Sequence, residues 1–300
     1  MKSNSFYRGT FYICLASLFW GLPQPLIFNE IKHVPSIEVA FHRGVWSFIF
    51  LFFILFFFTR IKDFFLIFYS KKKIFILSIT ALLISINWIG FIYSVSINRV
   101  QDASMGYFIT PMISISLGYF FLNEKINKLK FLSVMLMLFA IIFLLINVKT
   151  FPYIALIIGT SWGIYGLLRK QISISPAIGL FYECFLISLF SFPYLIYLYF
   201  TGSGYYLNHN SYTTLLLTLT GLVTLFPLLL FNLGIKHITL GYAGVLFYLA
   251  PSFHFITSIL ILKEDIQLTK LISFIIIWIG VSIFIFNVIR SEKINENNIL

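Results

Sequence analysis

The 300-residue chain carries few groups that could do chemistry, and three of them fall where water is scarce. His42, Arg43 and Glu183 all lie inside long apolar runs. An ionisable side chain at such depth is costly in lipid, so it points to a cavity, a partner or a proton pathway. Arg43 is suited to orient an anionic group, and Glu183 a cationic group or a proton. A protonatable Glu183 or His42 would suit proton coupling. For Arg43 a second reading stays open, snorkelling to the nearer interface. Counted along straight helices, Arg43 and Glu183 stand roughly 10–15 Å apart along the membrane normal, so no direct ion pair is expected. Each is expected to face a central cavity from its own side, or to pair locally near a gate.

A second set is amphiphilic. Trp20, Gln24, Asn87, Trp88, Tyr107, Trp162, Tyr165 and Tyr248, with Tyr93 and Asn232, are placed in apolar segments. Tyr and Trp favour membrane interfaces, so deeper ones need partners for their polar atoms. An interhelical hydrogen bond would satisfy any one of them. Together they predict a polar interior whose aromatic walls suit a planar or cationic body. Pro111 and Pro251 complete the candidate set, and no metal site is expected. A proline within a helix removes one backbone hydrogen bond and crowds the turn before it. Either it packs as a kink, or the freed carbonyl lines a cavity.

The two prolines lie in similar stretches. Gly106–Glu124 reads GYFITPMISISLGYFFLNE, and Gly244–Glu264 contains LFYLAPSFHFITSILILKE; proline and glutamate recur at an offset of 140. The sequence around the prolines is amphiphilic, with Tyr107 and Thr110 in one copy and Tyr248 and His254 in the other. Glu124 and Glu264, each beside a lysine, read as solvated helix ends, with a cap or gate role as the alternative.

These residues must be positioned by membrane helices. The chain is 60% hydrophobic and 10% charged, with a mean hydropathy of +0.96. Runs such as Val45–Thr59 leave no face for water. Lipid offers no partner for an unpaired backbone group, so the spans must be helical. Ten are read, at 9–29, 38–59, 74–97, 103–122, 131–147, 152–169, 177–200, 213–235, 243–262 and 268–289. With the N-terminus cytoplasmic, inside segments hold fifteen Lys and Arg and outside segments five. That bias places both termini in the cytoplasm. The net charge of +11 therefore sets orientation, and no nucleic-acid partner is expected. The N-terminal run lacks a cleavage site and reads as an uncleaved first helix. The tail, 290–300, is polar and expected to be disordered and cytoplasmic.

The ten spans divide into two fives. Trp20-Gly21 matches Trp162-Gly163 and Pro35 matches Pro176, at offsets of 140 to 142. The halves are 1–150 and 151–289. Five being odd, the second copy enters from the opposite face, which makes an inverted repeat of the kind used by alternating-access carriers. The expected fold is thus an all-α integral membrane protein of ten transmembrane helices in two inverted five-helix repeats. The expected activity is secondary transport of a small organic solute. Spans 3, 4, 8 and 9 would wall the site. An integral-membrane enzyme or lipid-handling protein on the same scaffold is the alternative, and it would need catalytic groups clustered at one interface.

Other motifs do not support chemistry. There is no P-loop, H-E-x-x-H, G-x-S-x-G, paired-cysteine site or dinucleotide fingerprint, so no cofactor is expected. His33 to Glu38 has acyltransferase-box spacing but Glu where Asp is usual. Cys14 and Cys184 read as packing residues and not a disulfide. Gly159-x-x-x-Gly163 reads as a close helix contact.

The segments LFWGL (18–22), HVPSIEVAFHRGVWS (33–47), NWIGFIYSV (87–95), DASMGYFITP (102–111), SWGIYGLLRK (161–170) and GVLFYLAP (244–251) run through almost the whole chain. In them the chain resembles the EamA group of the drug/metabolite transporter superfamily, and within it the RarD-type proteins of bacteria. The resemblance implies a multi-pass carrier in the bacterial inner membrane, with a small-molecule substrate. Where RarD-type relatives tend to have Gln before the later tyrosine and Asn before the earlier proline, this chain has Phe247 and Thr110.

Overall fold

A computed structural model describes residues 2–57, 62–96, 100–146, 153–261 and 268–297. Among the described residues there is no strand, and thirteen helices follow one another. They are α1 (Lys2–Gly21), α2 (Pro23–Glu30), α3 (Ser36–Phe57), α4 (Lys62–Phe65), α5 (Lys71–Ser96), α6 (Val100–Leu122) and α7 (Lys128–Ile146). The rest are α8 (Tyr153–Gln171), α9 (Pro176–Thr201), α10 (Ser211–Gly234), α11 (Leu240–Phe247), α12 (Leu249–Leu260) and α13 (Leu268–Asn297). Eight stretches are long and apolar enough to cross a membrane, and Gly106–Leu122 adds a shorter apolar helix.

Proline and small polar residues set the boundaries. Pro23 and Pro176 stand at the first turns of α2 and α9, where a missing N–H costs nothing. Asn210 caps α10 by accepting from Thr213 N at 2.6 Å, and Thr239 caps α11 through Tyr242 N. The regular helix is interrupted for one residue at Leu22, just before Pro23, and again at Tyr248, both with φ and ψ still in the α region. Each break divides what reads in sequence as one span. The prolines expected to act alike do not. α6 runs through Pro111 without interruption, whereas the α11/α12 break falls three residues before Pro251. The tail also differs from expectation, because α13 continues to Asn297. No Gly or Pro follows Arg290 to stop it.

Polarity is arranged for an apolar solvent. Phe53, Phe57, Phe120, Phe190 and Phe200 are exposed, while Thr80, Asn87, Ser161, Glu183 and Asn232 are buried. α3 packs between α9 and α10, α8 against α5 and α6, α1 against α10 and α12, and α7 against α13. Glycine lies at several close crossings, of which two are examples. A Cβ on Gly159 would lie 3.2 Å from the Gly106 carbonyl oxygen, and one on Gly234 would lie 3.1 Å from that of Gly9. Gly159 and Gly163 thus seat α8 on α6, as their spacing suggests.

Candidate functional site

An internal cavity lies where α1, α2, α3, α5, α6, α8, α10 and the α11/α12 break converge. From the first half of the chain Trp20, Gln24, Arg43, Asn87, Trp88 and Tyr107 line it. From the second half come Trp162, Ala250 and Pro251, with Phe247 and Leu228, and Phe91 closes the wall beside Trp88. Spans 3, 4, 8 and 9 of the sequence reading all contribute, joined by spans 1, 2 and 6. The cavity measures about 30 Å³, room for about two waters. Its walls lie close together and leave little free space between them.

Arg43 dominates the cavity electrostatically. It is 3% exposed, and its Nε donates to Thr224 Oγ1 at 2.9 Å. Its guanidinium carbon lies 4.8 Å from the Trp88 ring centre and 5.0 Å from that of Phe28. No carboxylate among the described residues is within ion-pair distance of it. It does not snorkel. Asn87 donates to the Ile158 carbonyl at 2.9 Å and to Ser161 Oγ at 3.3 Å, which fixes the amide with its oxygen uncommitted to those bonds.

An aromatic slab floors the cavity. The Trp20 and Trp162 rings meet edge to face at 5.1 Å, and Phe247 packs on both, at 5.5 and 5.7 Å. Phe231 fills the gap, 4.9 Å from Trp162. Tyr165 stacks beneath Trp162 at 5.3 Å and belongs to what lies below.

There the structure corrects the sequence reading of Glu183 and Tyr165: neither lines the cavity. Glu183 is fully buried. Its Oε1 accepts from Thr80 Oγ1 at 2.6 Å and lies 3.6 Å from Arg169 Nη1, while Oε2 accepts from Tyr165 OH at 3.1 Å. Asn232 donates to Tyr165 OH at 2.7 Å and accepts from Arg169 Nε at 2.9 Å. Arg169 Nη2 donates to the Pro176 carbonyl. Counted in sequence among the loop cations, Arg169 is 1% exposed. Its position was legible: it falls four residues after Tyr165 and seven after Trp162, on their helical face. A buried carboxylate demands a partner, and Arg169 is the cation within reach.

Further toward that end the closure continues. Lys170 Nζ donates to the Ile235 and Ile238 carbonyls, and Lys236 Nζ to those of Lys170 and Ile172. Each lysine thus ties the helix end that carries the other. Burial, then the charges of Arg169 and Lys170, push the Lys236 ammonium down to about 8. Glu124, whose default reading was a solvated helix end, accepts from Leu240 N at 2.5 Å and Gly241 N at 2.9 Å. It caps α11, where a helix N-terminus favours negative charge. Glu264 lies outside the described residues, as does the His254 side chain.

His42 also stands apart from the cavity. Its ring packs 4.7 Å from Tyr206, with Nε2 3.9 Å from Glu38 Oε1. One helical position separates it from Arg43, which turns it to another face of α3. Glu38 Oε1 accepts from the Tyr205 and Tyr206 backbone N–H groups. Tyr248 is buried, and its hydroxyl donates to the Phe108 carbonyl at 3.0 Å, three residues before Pro111. Of the two departures from the RarD-type pattern, Phe247 lines the cavity, while Thr110 bonds back to the Gly106 carbonyl. Tyr93 is half-exposed. Among the described residues no group of three or more His, Cys, Asp or Glu could hold a metal ion.

An all-helical membrane protein with an enclosed, cation-bearing aromatic cavity is the class these features define. The sequence profile of the EamA-like transporter family matches residues 7–146 and again 151–286, and the chain belongs to that family. It is 33% identical to the uncharacterized transporter YojE of Bacillus subtilis over 97% of this chain and 98% of that one. It is 29% identical to protein RarD of Escherichia coli over 98% and 99%. A protein of known crystal structure, 14% identical, superposes with a TM-score of 0.73 over 97% of this chain and the whole of that one. The last likeness concerns the fold alone.

Proposed function

We propose that the chain is a secondary carrier that moves a small organic solute across the bacterial inner membrane by alternating access, with the Arg43 cavity as its substrate chamber. The observation that carries the reading is the cavity's composition. It is built from both halves of the chain and holds a buried cation among aromatic rings. It is shut at one end by the Trp20–Trp162 slab and the Glu183–Arg169 network. Binding one solute from either side requires such a chamber between two movable units.

We infer ten crossings in two inverted halves, 1–150 and 151–289, with α1/α2 and α11/α12 each serving as one broken crossing. Packing supports this. The most extensive interhelix contacts have counterparts when the halves are exchanged: α3 on α10 corresponds to α9 on α5, and α6 on α8 to α12 on α1. Residues at equivalent positions meet, Trp20 with Trp162 and Phe108 with Tyr248. The equivalent helices also cross head to tail: Phe108 pairs with Tyr248, while Glu124, just past the end of α6, reaches back to Leu240. A half that runs oppositely through the membrane gives this pattern.

With both termini cytoplasmic, the Glu183 network faces the cytoplasm and the cavity leans outward. α11/α12 and α1/α2 are the elements whose breaks permit rocking. The test is flux. Purified protein in liposomes should exchange a solute from a broad metabolite mixture under an imposed gradient, and Arg43→Gln should abolish that exchange. Movement of no solute by the unmodified protein removes the main support. Impermeant labelling of single cysteines in the loops checks the orientation.

A further inference from the structure

Resting on the carrier reading, we propose that the transported solute is a net organic monoanion, a carboxylate or similar acid on a planar apolar body, and not a zwitterion or an amine. The argument begins with charge count. The cavity lining contains one ionisable cation, Arg43, and no carboxylate. An amino acid would need an acceptor for its ammonium as well as a donor for its carboxylate. Glu183, the acid read within an apolar span, is withdrawn beneath the aromatic slab. Thr80, Tyr165 and Arg169 already occupy it.

Arg43 itself is incompletely served. Nε is bonded to Thr224, but a neutral hydroxyl does not balance a charge, and the terminal nitrogens make no hydrogen bond or ion pair among the described residues. The Trp88 and Phe28 faces offer partial compensation while the chamber is collapsed. A buried guanidinium in this state favours a bidentate anion strongly. The Nε tether leaves its terminal edge for that anion. Around it, Trp20, Trp162 and Phe247 supply ring faces for an apolar body. Asn87 and Gln24 add neutral polar groups able to read a substituent without demanding a second charge. With one cation, a dianion would leave one charge buried and unpaired, so a monoanion is the complement.

Four ligands sharing one body separate the possibilities: 3-phenylpropanoate, 3-phenylpropanamide, phenylalanine and phenethylamine. Binding to the full-length protein in detergent is measured by calorimetry. The acid is expected to bind at least about tenfold tighter than each of the others. Arg43→Gln is expected to erase the preference and Arg43→Lys to keep part of it. Thr224→Ala, which loosens the tether but keeps the charge, is expected to retain the order acid over amide. It guards against misfolding of the Arg43 variants. Equal binding of phenylalanine or the amide, tightest binding of the amine, binding of none of the four, or a preference that survives Arg43→Gln each overturns the proposal. Flux in liposomes keeps the two readings apart. An acid that binds but never crosses sinks the carrier reading and spares the class. Phenylalanine that crosses in preference to the acid does the reverse.

Discussion

Arg43 and Glu183 sit in matching places on matching helices, one position out of register, yet their surroundings are opposites. Glu183 is enclosed by two hydroxyls and a guanidinium, and its partners are held in turn by Asn232 and the Pro176 carbonyl. Arg43 has one neutral hydrogen bond, two ring faces and a cavity. The first arrangement holds the helices together. The second leaves a demand that a ligand can meet. Glu183 is thus satisfied by its own neighbours, whereas Arg43 opens on a cavity.

This contrast breaks first at the closed cluster. Glu183→Ala leaves Arg169 buried without its counter-ion and is expected to destabilise the protein by about 3–5 kcal/mol in detergent unfolding. The double variant Glu183→Gln with Arg169→Gln should recover much of that loss. A single variant as stable as the parent would show that the pair holds nothing. Next, Tyr165→Phe removes the hydroxyl between Glu183 and Asn232, at a cost of about 1–3 kcal/mol.

Arg43→Gln sharpens the other side of the comparison. It strands no partner charge, so stability should stay within about 1 kcal/mol or rise, while solute flux falls by at least about tenfold. If unfolding instead matched that of Glu183→Ala, the two regions would be alike after all. Smaller still is Glu124→Gln, which weakens the charge on the α11 N-terminus by about 0.3–1 kcal/mol. Lys236 closes the series with a pH effect. Its folded value of about 8 lies below the ordinary lysine value of about 10.4. Between these the unfolded chain binds the extra proton, so stability rises with pH across that window. Lys236→Met should flatten the slope in unfolding curves collected from pH 7 to 10.5.

Much of the cavity was legible in the residues. Trp20, Gln24, Arg43, Asn87, Trp88, Tyr107, Trp162 and Pro251 betray themselves as polar, charged or helix-distorting groups in apolar runs, and all line one space. Leu228, Ala250 and the phenylalanines could not be picked out, because an apolar wall facing a cavity and one facing lipid are written in the same letters. Depth could be counted for His42 and Glu183, but facing could not. One step of about 100° around α3 turns His42 away from Arg43. Arg169 was counted with its neighbour Lys170 as a loop signal, although its spacing from Tyr165 and Trp162 puts it on their helical face. The helices were readable from hydropathy. The Tyr248 break was not, because Pro111 in a similar context leaves α6 whole.

One contact has a further meaning. Trp20 and Trp162 come from equivalent places in the two halves, yet their rings stand at 87° to each other. Residues exchanged by a two-fold axis would share one environment, and an edge-to-face pair forbids that. One ring offers its rim and the other its face, so the pair has a handedness that a symmetric scaffold cannot assign. The two halves, which match one family profile in turn, therefore meet at a contact in which they are not alike.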